Sequence, residues 1–193
     1  MNYQAYDVFP TLITVFDLKD HPANKRVFDL MKNTQIKNHA LVSNNGESSY
    51  AEETPNRFLS NPLIKDFNET IQQCVNIYTE QSGLTNCTIK NSWFNKMGKG
   101  GRIILHRHEF STVSGAYYPV WNEKNCNLRF RNPIAPYKMA ELSSPTMTPY
   151  NDMEQEVPGA EGRLILFPSW LEHYTLENES DERWVVSFNA FHS

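Results

Sequence analysis

The sequence predicts a mainly β domain, an antiparallel sandwich or jelly roll with helices in support. Helical periodicity is confined to the first part of the chain, and from residue 88 onward short strands alternate with glycine- and proline-bearing turns. At 193 residues without internal repeats, the chain fits one domain that buries about 70% of its unfolded surface. Residues 1–87 then form a helix-and-strand support and residues 88–193 the core. The rest is organised around Gly101–Trp121, GRIILHRHEFSTVSGAYYPVW, which reads as strand, turn and strand.

Taken in order, Phe9–Leu18 (FPTLITVFDL) is rich in β-branched and aromatic residues and reads as a strand. Val27, Phe28, Leu30 and Met31 among charges give a short amphipathic helix over Ala23–Lys32. Ser43–Asn56 follows neither period and reads as a surface loop. Asn61–Gly83 is the clearest helix, with Asn61 as cap, Pro62 at the first position and Gly83 as a left-handed stop. Leu63, Phe67, Ile71, Cys74, Val75 and Tyr78 form its apolar stripe.

Beyond it, Thr88–Met97 reads as a strand, Gly98–Gly101 as a turn and Arg102–His108 as the returning hairpin partner. Ser111–Trp121, Asn127–Arg131, Arg163–Pro168 and Arg183–Phe191 are further strands. Asn132–Gly159 carries Pro133, Pro136, Pro145, Pro149 and Pro158, and reads as a long functional loop. It and Ser43–Asn56 are candidate lids.

Composition removes several classes. Net charge is −4 with signs interspersed, which disfavours nucleic acid and a charged membrane surface. No run approaches the roughly 18 apolar residues of a bilayer span, and MNYQAYDVF lacks signal-peptide character. Cys74, Cys87 and Cys126 are odd in number and widely spaced, against a disulfide framework or thiolate zinc site, so the protein reads as cytoplasmic. The aromatic content leaves a homodimer open.

Among the histidines, His106 and His108 stand apart. Two residues apart on a strand, their side chains share a face, roughly 7 Å apart at Cβ, and a third ligand would close a metal site. His173, just past an apolar strand and a Pro-Ser-Trp turn, is the candidate third. Imidazole suits Zn, Cu, Ni or Fe(II). His21, His39 and His192 read as ordinary surface or core histidines. On the last strand Arg183, Val185, Ser187 and Asn189 share one face and Trp184, Val186 and Phe188 the other. Arg183 with a hydroxyl and an amide beside it suits a carboxylate, but it also has Glu179, Asp181 and Glu182 as surface ion-pair options.

The succession HRH (106–108), SGAYY (114–118), LRFRNP (128–133), LILFPSWLEH (164–173), Arg183 and SFN (187–189) resembles the iron(II)- and 2-oxoglutarate-dependent dioxygenases. It is most similar to their prolyl-hydroxylase-like branch in bacteria and phages, over about Asn91 to Phe191. The resemblance implies a double-stranded β-helix, the cupin-like jelly roll. It also implies Fe(II) on His106 and His173, and Arg183 on the far carboxylate of the small-molecule cosubstrate 2-oxoglutarate. Tyr118, Ser114, Ser187 and Asn189 would line the cosubstrate pocket. Three features depart from the pattern. His108 stands where the superfamily has Asp or Glu, so iron affinity is expected to depend more on bound 2-oxoglutarate. Val185 replaces a small hydroxyl two residues past the arginine, and Glu109 replaces the branch's proline.

The expected function is thus an oxygenase hydroxylating an unidentified protein side chain or small molecule. Two alternatives stay open on the residues alone: a cupin-type three-histidine enzyme without 2-oxoglutarate, and a non-catalytic jelly-roll binding or structural protein.

Overall fold

Side-chain alternation on the last strand, Arg183–His192, divides the molecule. Trp184, Val186 and Phe188 enter one apolar cluster beneath the helices, while Val185 joins a second cluster on the opposite face. The structure is a computed structural model that describes residues 1–52, 55–138 and 146–193. Its strands are β1 (Thr14–Asp17), β2 (Lys37–Asn38), β3 (Val42–Ser43), β4 (Gly46–Ser48), β5 (Cys87–Met97) and β6 (Arg102–Ile103), followed by β7 (Val113–Tyr118), β8 (Leu128–Arg131), β9 (Glu154–Val157), β10 (Arg163–Pro168), β11 (His173–Thr175) and β12, the last strand. The helices are α1 (Asn24–Lys32) and α2 (Lys65–Ser82).

Seven strands form the larger sheet in the order β1-β10-β7-β12-β5-β4-β2, every neighbour antiparallel. A second layer holds β11-β8-β9, and the β3-β6 pair stands beside it. The mainly β jelly-roll class read from the sequence is the class observed. The N-terminal part does more than buttress, because β1, β2 and β4 are strands of the larger sheet itself.

Helix α2 covers that sheet's outer face. Asn61 Oδ1 accepts from Leu63 N–H at 3.0 Å, a 3-10 turn over Pro62–Ile64 leads in, and Gly83 ends the helix at φ 67°. Phe67, Ile71, Val75 and Tyr78 are buried against Tyr117, Val186 and Phe188, each contributing ~2 kcal/mol by burial. Leu63 departs from the expected stripe: it is exposed and Ile64 is buried instead, because the tighter 3-10 turn rotates the face.

Other differences have local causes. Residues 1–11 are exposed and pairing begins only at Thr14 opposite Leu166, so the first strand is shorter than Phe9–Leu18. Arg102–His108 is not a hairpin partner of β5, because β12 and β4 already occupy both edges of β5 at Met97. The Gly98–Gly101 turn instead bonds to Asn45 and Asn178, which carries the chain across to the second layer. The stretch read as a Ser43–Asn56 loop contains β4 and the end of β3, held to β5 and β6. Asn132–Gly159 likewise contains a 3-10 turn at Ala135–Tyr137 and the charged edge strand β9; part of it lies outside the described residues.

Gly115 lies opposite Phe188 in the β7–β12 pair, and a Cβ there would stand 2.2 Å from the ring. Gly115→Ala therefore forces a buried ring aside, at an expected cost of ~1–3 kcal/mol. Urea denaturation checks this: the midpoint falls, and an unchanged midpoint would show the ring is not confined.

Candidate metal centre

His106 and His173 are directly opposite each other in an antiparallel pair. His106 N–H donates to His173 O at 3.0 Å and His173 N–H returns to His106 O at 2.9 Å. Opposed residues of such a pair send side chains to the same face, and the two ring centroids are 4.3 Å apart. The segment is not the continuous strand expected, since β6 stops at Ile103. Even so, His108 N–H donates to Ser169 O at 3.0 Å, which returns His108 to the same face. Its ring lies 5.0 Å from that of His106 and 5.1 Å from that of His173. One nitrogen from each of the three lies within 4.8 Å of the others, the only such group among the described residues.

Hydrogen bonds at the far side of each ring fix its orientation. Nδ1 of His106 is 2.8 Å from Ile104 O, and Nδ1 of His173 is 2.9 Å from Leu171 O. A carbonyl only accepts, so each Nδ1 carries the proton and leaves Nε2 a free lone pair, as metal-ligating histidines require. Nδ1 of His108 meets the Asn189 amide at 3.3 Å. Burial lowers the affinity of all three rings for a second proton: His106 below its ordinary value, His108 to about 3 and His173 well below. At neutral pH the trio is a set of uncharged nitrogen donors.

Arg183 lies in the same cavity of about 530 Å³, between the two layers. It is 2% exposed. Nε donates to Cys126 O at 2.9 Å and Nη2 to Tyr118 Oη at 3.3 Å, while the guanidinium carbon sits 5.1 Å from the Tyr118 ring centre. Nη1 is buried without a partner. The ion-pair options with Glu179, Asp181 or Glu182 are not realised: Glu182 pairs with Lys96 at 2.9 Å, and Arg183 has no ion pair among the described residues. A buried cation with an unused donor is costly unless an anion completes it. The residues therefore fit a metal on three imidazoles and a carboxylate on Arg183.

Tyr118 and Asn189 also line this cavity, as does half-buried Ser187. Ser114 stands behind Asn189, donating to its Oδ1 at 2.8 Å. Val185 lies on the cavity face across from Asn95. Glu109 pairs with Arg107 at 3.1 Å and is not grouped with the histidines.

The sequence reading missed the β5 side of the site. Trp93 packs against His108 at 5.7 Å and against Tyr50 at 5.3 Å, and Tyr50 in turn meets His39. Asn95, 7% exposed, lines the cavity with an unpartnered Oδ1. The alternation Asn91, Trp93, Asn95 within β5 was the available signal.

A jelly roll with three clustered imidazoles and a buried arginine lining one cavity fits the non-haem metal oxygenases. The comparisons agree. The sequence model of a family described as "Putative 2OG-Fe(II) oxygenase" matches residues 91–189, just over half of the chain, which therefore belongs to that 2-oxoglutarate/Fe(II) oxygenase family. No curated protein matches. Among solved structures, a 2OG-Fe(II) oxygenase family oxidoreductase from Burkholderia pseudomallei matches with TM-score 0.68 at 9% identity, over 93% of this chain and 85% of that one. A Pseudomonas putida prolyl-4-hydroxylase matches with TM-score 0.61 at 13% identity, over 95% and 94%. HygX from Streptomyces hygroscopicus, with nickel and 2-oxoglutarate bound, matches with TM-score 0.63 at 9% identity, over 95% and 84%. The chain is thus placed among the oxygenases that use iron and 2-oxoglutarate. Among the described residues no helix is long and apolar enough to cross a membrane.

The depressed histidines give a pH signature. Below about pH 6.5 the unfolded chain takes up protons that the folded rings refuse, so stability falls as pH drops toward the folded value near 3 for His108. His108→Gln removes one such group. Denaturation midpoints of metal-free protein at neutral pH and at pH 5 should show a smaller loss in the variant; an equal loss would contradict a neutral buried His108.

Proposed function

We propose that His106, His108 and His173 hold the iron and that Arg183 holds the far carboxylate of 2-oxoglutarate. The observation that carries this reading is the buried, unpartnered Nη1 of Arg183 in the cavity that also contains the three imidazoles. When bound, iron and 2-oxoglutarate supply, with dioxygen, the oxidising equivalent that puts one oxygen into a substrate C–H bond and the other into succinate, with loss of CO2.

The chain's own residues bind, orient and shield. Arg183 offers Nη1, and Tyr118 Oη, already accepting from Nη2, keeps its own proton to donate to a carboxylate oxygen. Burial raises the Tyr118 hydroxyl above its ordinary value, so that proton stays in place at neutral pH. Ser187 and Asn189 adjoin the same wall. Trp93, Tyr118 and Phe167 present buried rings to the cavity and exclude water from it. Fold likeness to prolyl hydroxylases supports a C–H hydroxylation of a protein side chain or a small molecule. Net charge of −4 argues against a nucleic-acid substrate.

The same reading has one domain, residues 88–193 carrying the site and 1–87 supporting it. Three free, buried cysteines accord with a reducing cytoplasm. All the candidate ligands come from one chain, so a homodimer is compatible with the site without being needed to complete it.

Replacing Arg183 with alanine should weaken 2-oxoglutarate by ~2–5 kcal/mol, read by calorimetric titration of metal-loaded protein. Unchanged affinity would remove Arg183 from the site. His106→Ala and His173→Ala should each abolish stoichiometric iron, measured by elemental analysis after desalting, and with it the conversion of 2-oxoglutarate to succinate. Full iron content in both variants would overturn the assignment.

A further inference from the structure

A ligand imidazole must keep a lone pair toward the metal, so its other nitrogen has to carry the ring proton. For His106 and His173 two peptide carbonyls settle this. His108 meets instead a side-chain amide, which presents a donor on one side and an acceptor on the other. A carboxylate at position 108 would need no such arrangement. An imidazole there does, because which ring nitrogen is free depends on which edge of Asn189 faces it.

The amide is oriented from behind. Ser114 Oγ donates to Asn189 Oδ1 at 2.8 Å, and Ser169 Oγ lies 2.8 Å from Ser114 Oγ. Both serines are buried, at 1% and 0% exposure, so solvent does not compete for these contacts. Ser169 also grips His108 through its main chain, accepting from His108 N–H at 3.0 Å. With Oδ1 engaged by Ser114, Asn189 Nδ2 faces His108 Nδ1 and donates to it. A neutral ring that accepts at Nδ1 carries its proton on Nε2, the nitrogen a metal would need.

We propose that Asn189, steered by Ser114 and Ser169, is the positioning residue that sets the tautomer of His108, and that metal loading turns its amide over. This rests on His108 being a ligand. In metal-free protein the ring is the Nε2–H tautomer. On loading, Oδ1 accepts a hydrogen bond from His108 Nδ1–H, Nδ2 donates to Ser114 Oγ, and the Ser114 hydroxyl donates to Ser169 Oγ. The ring keeps one proton throughout, which changes nitrogen by exchange with solvent, and the serines only rotate. The relay thereby gives His108 the support that the other two imidazoles receive from the backbone.

The test is ¹⁵N-histidine NMR of long-range ¹H–¹⁵N couplings at pH 7.5, without metal and with Zn(II) as a diamagnetic probe. His108 of the native chain should be Nε2–H without metal and Nδ1–H with it. Asn189→Asp, which only accepts, should show Nδ1–H before any metal is added. Asn189→Ala should give a mixture and bind Zn(II) ~10-fold or more weakly, with Asn189→Asp restoring affinity. Should the aspartate variant not fold, Ser114→Ala frees Oδ1 and should move metal-free His108 toward the mixture. A His108 tautomer indifferent to every substitution, or Zn(II) affinity unchanged in Asn189→Ala, overturns the inference alone. Zn(II) shifting His106 and His173 but not His108 would instead remove His108 from the ligand set, and this inference with it.

Discussion

The reciprocal main-chain hydrogen bonds between His106 and His173 are the constraint on which the site depends. They join residues 67 positions apart by direct opposition, so the facing of the two rings is a property of the sheet and not of side-chain choice. One further main-chain bond, from His108 to Ser169, adds the third ring. The ligand face is thus written in backbone geometry, and the larger sheet supplies the opposite wall through β12 and β5. Helix α2 and its buried stripe matter to chemistry only through this: they hold the outer face of that sheet, so that the alternate residues of β12 must face inward.

Electrostatics explains why such a site would take a dianion. Three neutral imidazoles leave a divalent cation uncompensated, and Arg183 adds a buried positive charge in the same cavity. In the wider family pattern a carboxylate ligand offsets part of that charge; here His108 does not. On the proposed assignment the two carboxylates of 2-oxoglutarate would compensate that charge, and metal and cosubstrate would then each strengthen binding of the other by the same factor. An imidazole in the carboxylate's place brings a second requirement, control of its proton, and the Asn189 relay answers it.

Much of this was legible in the sequence. The apolar strand leading to His173 and the alternation along Arg183–Asn189 follow from local geometry, which a sequence states directly, whereas the HRH rings share a face through long-range bonds to His173 and Ser169. What it did not state were pairings. Arg102–His108 looks like a hairpin partner of β5, and only the occupation of both β5 edges sends it to the second layer. Ser114 shares a strand face with Tyr118 and so looked like a pocket residue. Its place behind Asn189 depends on the register of the β7–β12 pair, which sets the two opposite each other, and the Pro168–Leu171 turn brings Ser169 up to it. The alternation in β5 put Trp93 and Asn95 on one face without saying that this face meets the histidines, and Tyr50 joins the site only through its contact with Trp93.

The most direct test of the central claim is anaerobic. Fe(II) is added to metal-free protein, then 2-oxoglutarate, while visible absorption is followed. The account predicts a weak charge-transfer band that needs both components and disappears in Arg183→Ala. Iron bound with no spectral response to 2-oxoglutarate would contradict it.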